Sequence, residues 1–322
     1  MTTDTAPLTI GEPKFAGPLA VFPIFGPLPG LDYRAFSVAL EHGAFVRELE
    51  RGASVNHLLV GNPTDRALLL YEGEQVLGAQ QDRTMDSNVL VAAGAQVEVP
   101  VSCVEAGRWD GSRHREHFRP APHADDPSLR RLKRESALSN AGRGLAGRPA
   151  QSEIWREVGS RLARFDVASE SSKFGDLFEQ RRGEIGALAD HIEPAAGQVG
   201  ALACIGDAPI ALDVVSRPEV FAALHDRVVR GYALDALSAH RARGQVADPT
   251  VAGAFLARAL TASRRPVRTP GLGDAHTLVG PQVVGSSLSL EDELLALCAF
   301  PSSEPRDEVA GGVARPSRRR LR

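Results

Sequence analysis

The segment that decides the fold begins His57-Leu58-Leu59-Val60 and continues through Gly61-Asn62-Pro63-Thr64-Asp65, Ala67-Leu68-Leu69-Leu70-Tyr71, Glu72-Gly73-Glu74 and Gln75-Val76-Leu77-Gly78. Apolar runs alternate with turn formers. Proline fixes φ, glycine supplies positive φ, and Asn and Asp bond to their own backbone, so each cluster marks a reversal. The pattern repeats downstream with Val89 to Ala92, the Ala93-Gly94 turn and a run from Gln96 to Glu105. Strands at intervals of roughly ten residues predict an antiparallel β-sandwich or barrel of hairpins rather than βαβ units. Upstream, Pro13, Pro18, Pro23, Pro27 and Pro29 punctuate runs such as Leu19 to Phe25 too closely for long helices. Phe36 to Leu49 fits either one short helix or two strands.

The character changes after Trp109. Asp110 to Asp126 is polar and reads as a loop, Leu129 to Leu138 as a basic helix, and Ser139 to Pro149 as a Gly- and Arg-bearing linker. Gln151 to Phe165 and Ser171 to Ile192 each place apolar residues on one helical face, which predicts an antiparallel helical hairpin. Val199 to Ile205 and Ile210 to Val215 flank the turn Gly206-Asp207-Ala208-Pro209. Pro218 opens a helix over about Glu219 to His240, and Asp248 caps another over Val251 to Ala262. Thr277 to Val279, Pro281 to Leu288 and Glu293 to Phe300 read as closing strands. The expectation is an α+β chain in four parts: a β-rich domain over 1–125, a helical hairpin over 126–196 with a flexible linker at 139–150, a mixed α+β part over 197–300, and a disordered basic tail over 301–322.

The 322 residues carry 37 Lys plus Arg against 40 Asp plus Glu, a formal net charge of -3, so the globular body lacks the basic field that nucleic acid needs. Arginines concentrate between Arg113 and Arg148 and in the tail, the two segments where an anionic partner is expected to engage. Cys103, Cys204 and Cys298 are too few and too far apart for a disulfide framework. Met1 to Pro7 lacks a basic start or apolar core, and no apolar run reaches the roughly 18 residues of a membrane span. A cytoplasmic protein without membrane association is expected.

No phosphate-binding loop, dinucleotide fingerprint or nucleophile elbow is present. His114 and His117, with His123, Asp125 and Asp126 downstream, are candidate metal ligands, although the surrounding arginines and prolines favour an exposed loop. Val97-Glu98-Val99-Pro100-Val101-Ser102-Cys103-Val104-Glu105 is more informative. Period-two alternation puts Val97, Val99, Val101, Cys103 and Glu105 on one face, so Glu105 ends an apolar row and is expected to have a raised pKa suited to proton transfer or ligand binding. Arg108 is close enough in sequence simply to pair with it. Cys103 on the same face reads as a buried thiol without nucleophilic character and, with Glu105 and Arg108, as a candidate ligand-binding residue. Glu74, Gln80 and Arg83 at the neighbouring turns are candidate lining groups for a polar pocket, and Trp109 beside Arg108 is a candidate stacking surface.

Taken together, Asn62-Pro63, Leu68-Leu69-Leu70, Glu72-Gly73-Glu74, Gly78-Ala79-Gln80-Gln81-Asp82-Arg83 and Pro100-Val101-Ser102-Cys103-Val104-Glu105-Ala106-Gly107-Arg108-Trp109 resemble an uncharacterised prokaryotic family named for association with ADP-ribosylglycohydrolase and rhodanese-phosphatase proteins. The likeness extends through Gly197-Gln198-Val199-Gly200, Gly231-Tyr232-Ala233-Leu234-Asp235-Ala236 and Gly285-Ser286-Ser287-Leu288. The family pattern leads one to expect Gln-Asn-Arg where this chain has Gln81-Asp82-Arg83. The resemblance implies a ligand drawn from ADP-ribose or NAD chemistry, with Arg83 or Arg108 at its pyrophosphate, Trp109 on its adenine and Glu105 on a ribose hydroxyl. Three function classes are open on this basis: a binding module for such a nucleotide, an assembly protein forming a homo-oligomer, and a metal-dependent hydrolase built on the 114–126 loop.

Overall fold

A computed structural model describes residues 8–27, 30–144, 147–239 and 247–302. The first half contains β1 (Thr9–Ile10), β2 (Lys14–Ala16), β3 (Leu19–Phe25), β4 (Tyr33–Ala35), α1 (Phe36–Glu41), β5 (Phe45–Arg47), β6 (His57–Gly61), β7 (Ala67–Leu70), β8 (Glu74–Leu77), β9 (Arg83–Met85), β10 (Val89–Val91), β11 (Gln96–Cys103) and β12 (Arg119–Ala124). Four helices come next: α2 (Pro127–Gly142), α3 (Gln151–Arg164), α4 (Gly175–Gln180) and α5 (Arg182–Ala189). The remainder is β13 (Gly200–Ile205), β14 (Ala208–Val215), α6 (Pro218–Ser238), α7 (Pro249–Thr261), β15 (Ser263–Val267), β16 (Asp274–Gly280), β17 (Val283–Leu290) and β18 (Glu293–Pro301).

The α+β class stands. A six-stranded sheet in the order β12-β8-β9-β11-β6-β5 and a three-stranded sheet β10-β7-β4 bury a shared core of Val60, Leu68, Leu70, Val76, Val91, Val99 and Val101. The β4–β7 pair is parallel, a departure from the all-antiparallel pairing expected. A nine-stranded sheet runs β1-β3-β13-β14-β18-β17-β16-β15, with β2 beside β3. It joins strands from both ends of the chain, because β3 pairs with β13 along its full length.

Both faces of the central part of this larger sheet are covered, so β3, β13 and β18 are almost continuously buried and apolar, whereas the edge strand β15 is exposed. Phe22, Ile24, Leu202, Leu212 and Leu297 share a core with Phe255 of α7, whereas Val21, Ala201, Ala203, Ala211 and Ala296 share one with Phe221, Leu224 and Val228 of α6. The alanines leave room for the long helix. Asp213 interrupts β14 on the α6 side and is 1% exposed. Its carboxylate accepts from Arg130 at 2.6 and 3.0 Å, Tyr71 Oη at 2.6 Å and Tyr232 Oη at 2.5 Å. Gly73, at φ 87°, lies so close above Arg130 that a Cβ would sit 2.7 Å from its Cδ.

Several details differ from expectation. Phe36 to Leu49 holds both a helix and a strand, α1 and β5. The region read as a loop contains β12, whose Pro120 and Pro122 are tolerated because it is the edge of its sheet. The linker is shortened by α2, which runs to Gly142; residues 145 and 146 lie outside the described residues. The helix expected over Ser171 to Ile192 breaks into α4 and α5 at Arg181, which turns back to donate to the Phe165 carbonyl, and Gly183 and Gly186 weaken the second piece. The main helical neighbours of α3 and α5 are α2 and α6, respectively. The edge strand β15 carried no sequence signal, and the basic tail from 303 onward lies outside the described residues.

Asp213→Asn leaves the Arg130 guanidinium buried without its charge partner. Breaking such a pair costs about 3–5 kcal/mol, so the urea midpoint is expected to fall by the corresponding amount; a loss below about 1 kcal/mol would show that the pair contributes little.

Candidate functional site

β9 and β11 pair antiparallel with Cys103 opposite Arg83, which gathers the nominated residues around one turn. Asp82 closes that turn by accepting from Gly78 N at 2.9 Å. Ala79 is held at φ 43°, a left-handed conformation costing a non-glycine residue about 1–2 kcal/mol. Arg108 Nη1 secures it by donating to the Ala79 carbonyl at 2.6 Å. Glu105 accepts from Arg108 Nε at 2.9 Å and Nη2 at 2.6 Å, from Ser171 Oγ at 2.7 Å and from Asp82 N at 3.1 Å. The segment before α4 is strapped to the end of β11 by a 2.7 Å bond from Gly107 N to Ser171 O, and a Cβ on Gly107 would lie 2.9 Å from Ser171 Cα.

Glu105 is buried, as its place in the alternating run suggests, but the expected rise in its pKa is corrected. Burial pushes the carboxyl up, while hydrogen bonds from Arg108, Ser171 and Asp82 N outweigh it and leave the group below its ordinary value. The raised acid is Asp82: burial dominates the opposing Gly78 N–H, Lys173 and Arg108, and Glu105 adds to the rise. Lys173 Nζ stands 3.3 Å from Asp82 Oδ2.

The other nominees separate. Arg83 has no exposed surface and lies under the half-exposed Trp109, its guanidinium carbon 5.7 Å from the ring centroid. Its nearest acid is Glu48, which the sequence pattern did not single out, at 3.9 Å. Arg83 Nε and Nη2 and both Glu48 oxygens lack a hydrogen-bond partner. Burial pushes Glu48 up and Arg83 down. The Cys103 thiol is buried 3.2 Å from Gln81 Oε1 and burial raises its pKa, which fits an unreactive group. Gln80 Nε2 is 3.1 Å from His114 Nδ1. Glu74 stands apart, its carboxylate accepting from Tyr71 N at 2.8 Å and facing Arg227 at 3.4 Å.

The histidine loop does not converge. His117 stacks on Phe45, while His123 is buried against Phe178 with ring centroids 3.7 Å apart. Asp125 accepts from Gln75, Thr84 and Lys133, and Asp126 caps α2. Among the described residues no three His, Cys, Asp or Glu side chains are grouped to hold a metal ion, so the hydrolase alternative lacks an assembled ligand set. All three cysteines are free and buried. No described helix is long and apolar enough to cross a membrane.

Beyond Lys173 the surface opens into a cleft of about 530 Å³. Its walls include Arg119 from β12, Lys173 from the segment before α4, Phe178 and Glu179 from α4, Arg182 from α5, and the Asp226–Arg230 pair of α6. The turn cluster therefore touches the cleft through one cation that both share. Sequence reading missed Lys173 and Arg182 because neither belongs to a motif: Lys173 lies in the short segment before α4, and Arg182 follows Arg181 at the start of α5.

A family model described as ARG and Rhodanese-Phosphatase-superfamily-associated Protein domain, ARPP-1, matches residues 7–300. The chain belongs to the ARPP-1 family. No curated protein and no solved structure matches it. The residues of the resemblance thus lie inside one family-wide unit, and in this ARPP-1 chain they build a self-bonded turn beside an open cleft.

Burial pushes the Glu74 carboxyl up to about 7, against Arg227 and the Tyr71 N–H. Because the folded protein holds this proton more tightly than the unfolded chain, the stabilisation is complete below about pH 4.5 and is lost as pH rises through about 7. Glu74→Gln is expected to flatten that part of the stability profile, measured as Tm against pH; an unchanged slope between pH 5 and 8 would remove Glu74 as its source.

Proposed function

We propose that the chain is a ligand-binding protein for ADP-ribose or an NAD-derived nucleotide, taken up in the cleft beside the Gln80–Arg83 turn. The observation that carries this reading is the cleft itself: at about 530 Å³ it falls within the size range of small-molecule and cofactor sites, and its basic wall suits an anionic ligand. The family's naming association with ADP-ribosylglycohydrolase supports the same ligand class. Glu105 and Arg108 act from behind, fixing the Ser171–Lys173 segment that carries Lys173 to the cleft wall. Trp109 offers a half-exposed indole for stacking near the cluster, with Arg83 on its other side. Binding rather than catalysis is the better reading because no nucleophile is paired with a base in the cluster.

Calorimetry of the full chain with ADP-ribose and with NAD is expected to give saturable heat for at least one of them, and no heat from a folded protein would remove the proposal. Glu105→Gln weakens the charged bonds to Arg108, each worth about 1.5–3 kcal/mol, and is expected to lower affinity by about tenfold. A folded variant with full affinity would remove Glu105 from the site.

A further inference from the structure

The cations that sequence reading offers to a phosphate are already committed. Arg83 is sealed beneath Trp109, and Arg108 is divided among Glu105, Asp82 and the Ala79 carbonyl. The cleft supplies others. Arg119 begins the edge strand β12 and Arg182 is the first residue of α5, the end of a helix at which negative charge is favoured. Both side chains are exposed, and neither has an ion-pair or hydrogen-bond partner among the described residues.

Their surroundings leave this positive charge unanswered. The cleft wall holds four cations, Arg119, Lys173, Arg182 and Arg230, against two carboxylates, Glu179 and Asp226. Lys173 is paired with Asp82 at 3.3 Å, and Arg230 with Asp226 at 3.0 Å and Asp190 at 3.2 Å. Burial, Lys173 and Arg230 pull His123 down to about 3, so it adds no charge at neutral pH. Two guanidiniums therefore remain for one carboxylate, Glu179. Exposed arginines on a convex surface are ordinarily solvated and need no ligand. These two line a single concavity, where their charges act in the same direction on an anion and where the planar guanidinium fork matches phosphoryl oxygens. Phe178 adds an apolar surface to the same wall, and Glu179 can accept from a ligand hydroxyl.

We infer that Arg119 and Arg182 form a phosphoryl-binding subsite of the cleft, suited to a small molecule that carries a pyrophosphate and hydroxyl groups. The inference rests on the reading of this cleft as the ligand site, but it does not require that the ligand be a nucleotide.

The test uses inorganic pyrophosphate and ADP-ribose as separate probes, titrated calorimetrically into the full chain at low and high ionic strength. Pyrophosphate is expected to bind with an affinity that falls as salt rises, and the double variant Arg119→Gln, Arg182→Gln to lose at least about tenfold. Arg264→Gln, on the exposed edge strand β15, serves as the control and is expected to bind as the wild type does. Absence of pyrophosphate binding, or a folded double variant with wild-type affinity for it, overturns the subsite. If pyrophosphate binding depends on the two arginines while ADP-ribose binds no tighter than pyrophosphate, the subsite stands and the nucleotide reading falls. If ADP-ribose binds with full affinity to the double variant, the subsite falls and the nucleotide reading stands.

Discussion

A single buried carboxylate, Asp213, ties α2, α6 and the end of β7 to one face of the larger sheet. It lies in the middle of β14 and binds a guanidinium from α2, a phenol from the residue after β7 and a phenol from α6. An ionised carboxylate in such a place is tolerated only when its lone pairs are filled and its charge is matched, and four donors do both. The arrangement dictates the character of α2, whose Arg130, Lys133 and Arg134 share one face and point inward. Lys133 meets Asp125 and Asp86, and Arg134 meets Glu72. Burial opposes the charge on Glu72, but Arg134 more than offsets it and holds the carboxyl below its ordinary value. Helix α2 thus adds to the apolar contacts of Leu129, Leu132 and Leu138 a set of directional pairs that fix its register against the sheets.

That design explains what the sequence revealed and what it hid. Elements governed by local periodicity were legible: the β13–β14 hairpin, α6, α7 with its Asp248 cap, and the closing strands β16 to β18. The basic face of α2 was read as helical but not as buried, because Asp213 lies 83 residues from Arg130 and Glu72 lies 62 from Arg134. A basic helix ordinarily faces water, and only the convergence of Glu72, Asp86, Asp125 and Asp213 on one side reverses that inference. Strand β12 was hidden for a different reason, since prolines exclude a segment from a sheet interior but not from its edge.

At the site, alternation correctly placed Glu105 on an inward face but gave the wrong sign for its pKa. Burial is a property of the strand and can be read locally. The compensating bonds come from Arg108, which is near in sequence, and from Ser171, which is 66 residues away and reaches Glu105 only because Gly107 admits the second segment. The same geometry commits Arg83 and Arg108 to the protein interior, so the proposed anion site falls to cations on the cleft wall. A residue type that suits a ligand is therefore a necessary feature of a site, while the absence of a competing partner inside the protein decides which residue remains available.

Asp82 brings these levels together. It stands where the family pattern leads one to expect an asparagine, and its side-chain oxygen serves the turn as an amide oxygen would, by accepting from Gly78 N. A carboxyl can carry a negative charge that an amide lacks; burial opposes that charge, and Lys173 and Arg108 lie against it in its favour. Lys173 is also part of the cleft wall, so Asp82 offsets from within part of the positive charge on that wall. An amide at this position would leave Lys173 without that partner and the wall more basic. Asp82 thus acts on the electrostatics of the cleft through one shared ammonium group, although it is not itself among the residues that line the cleft.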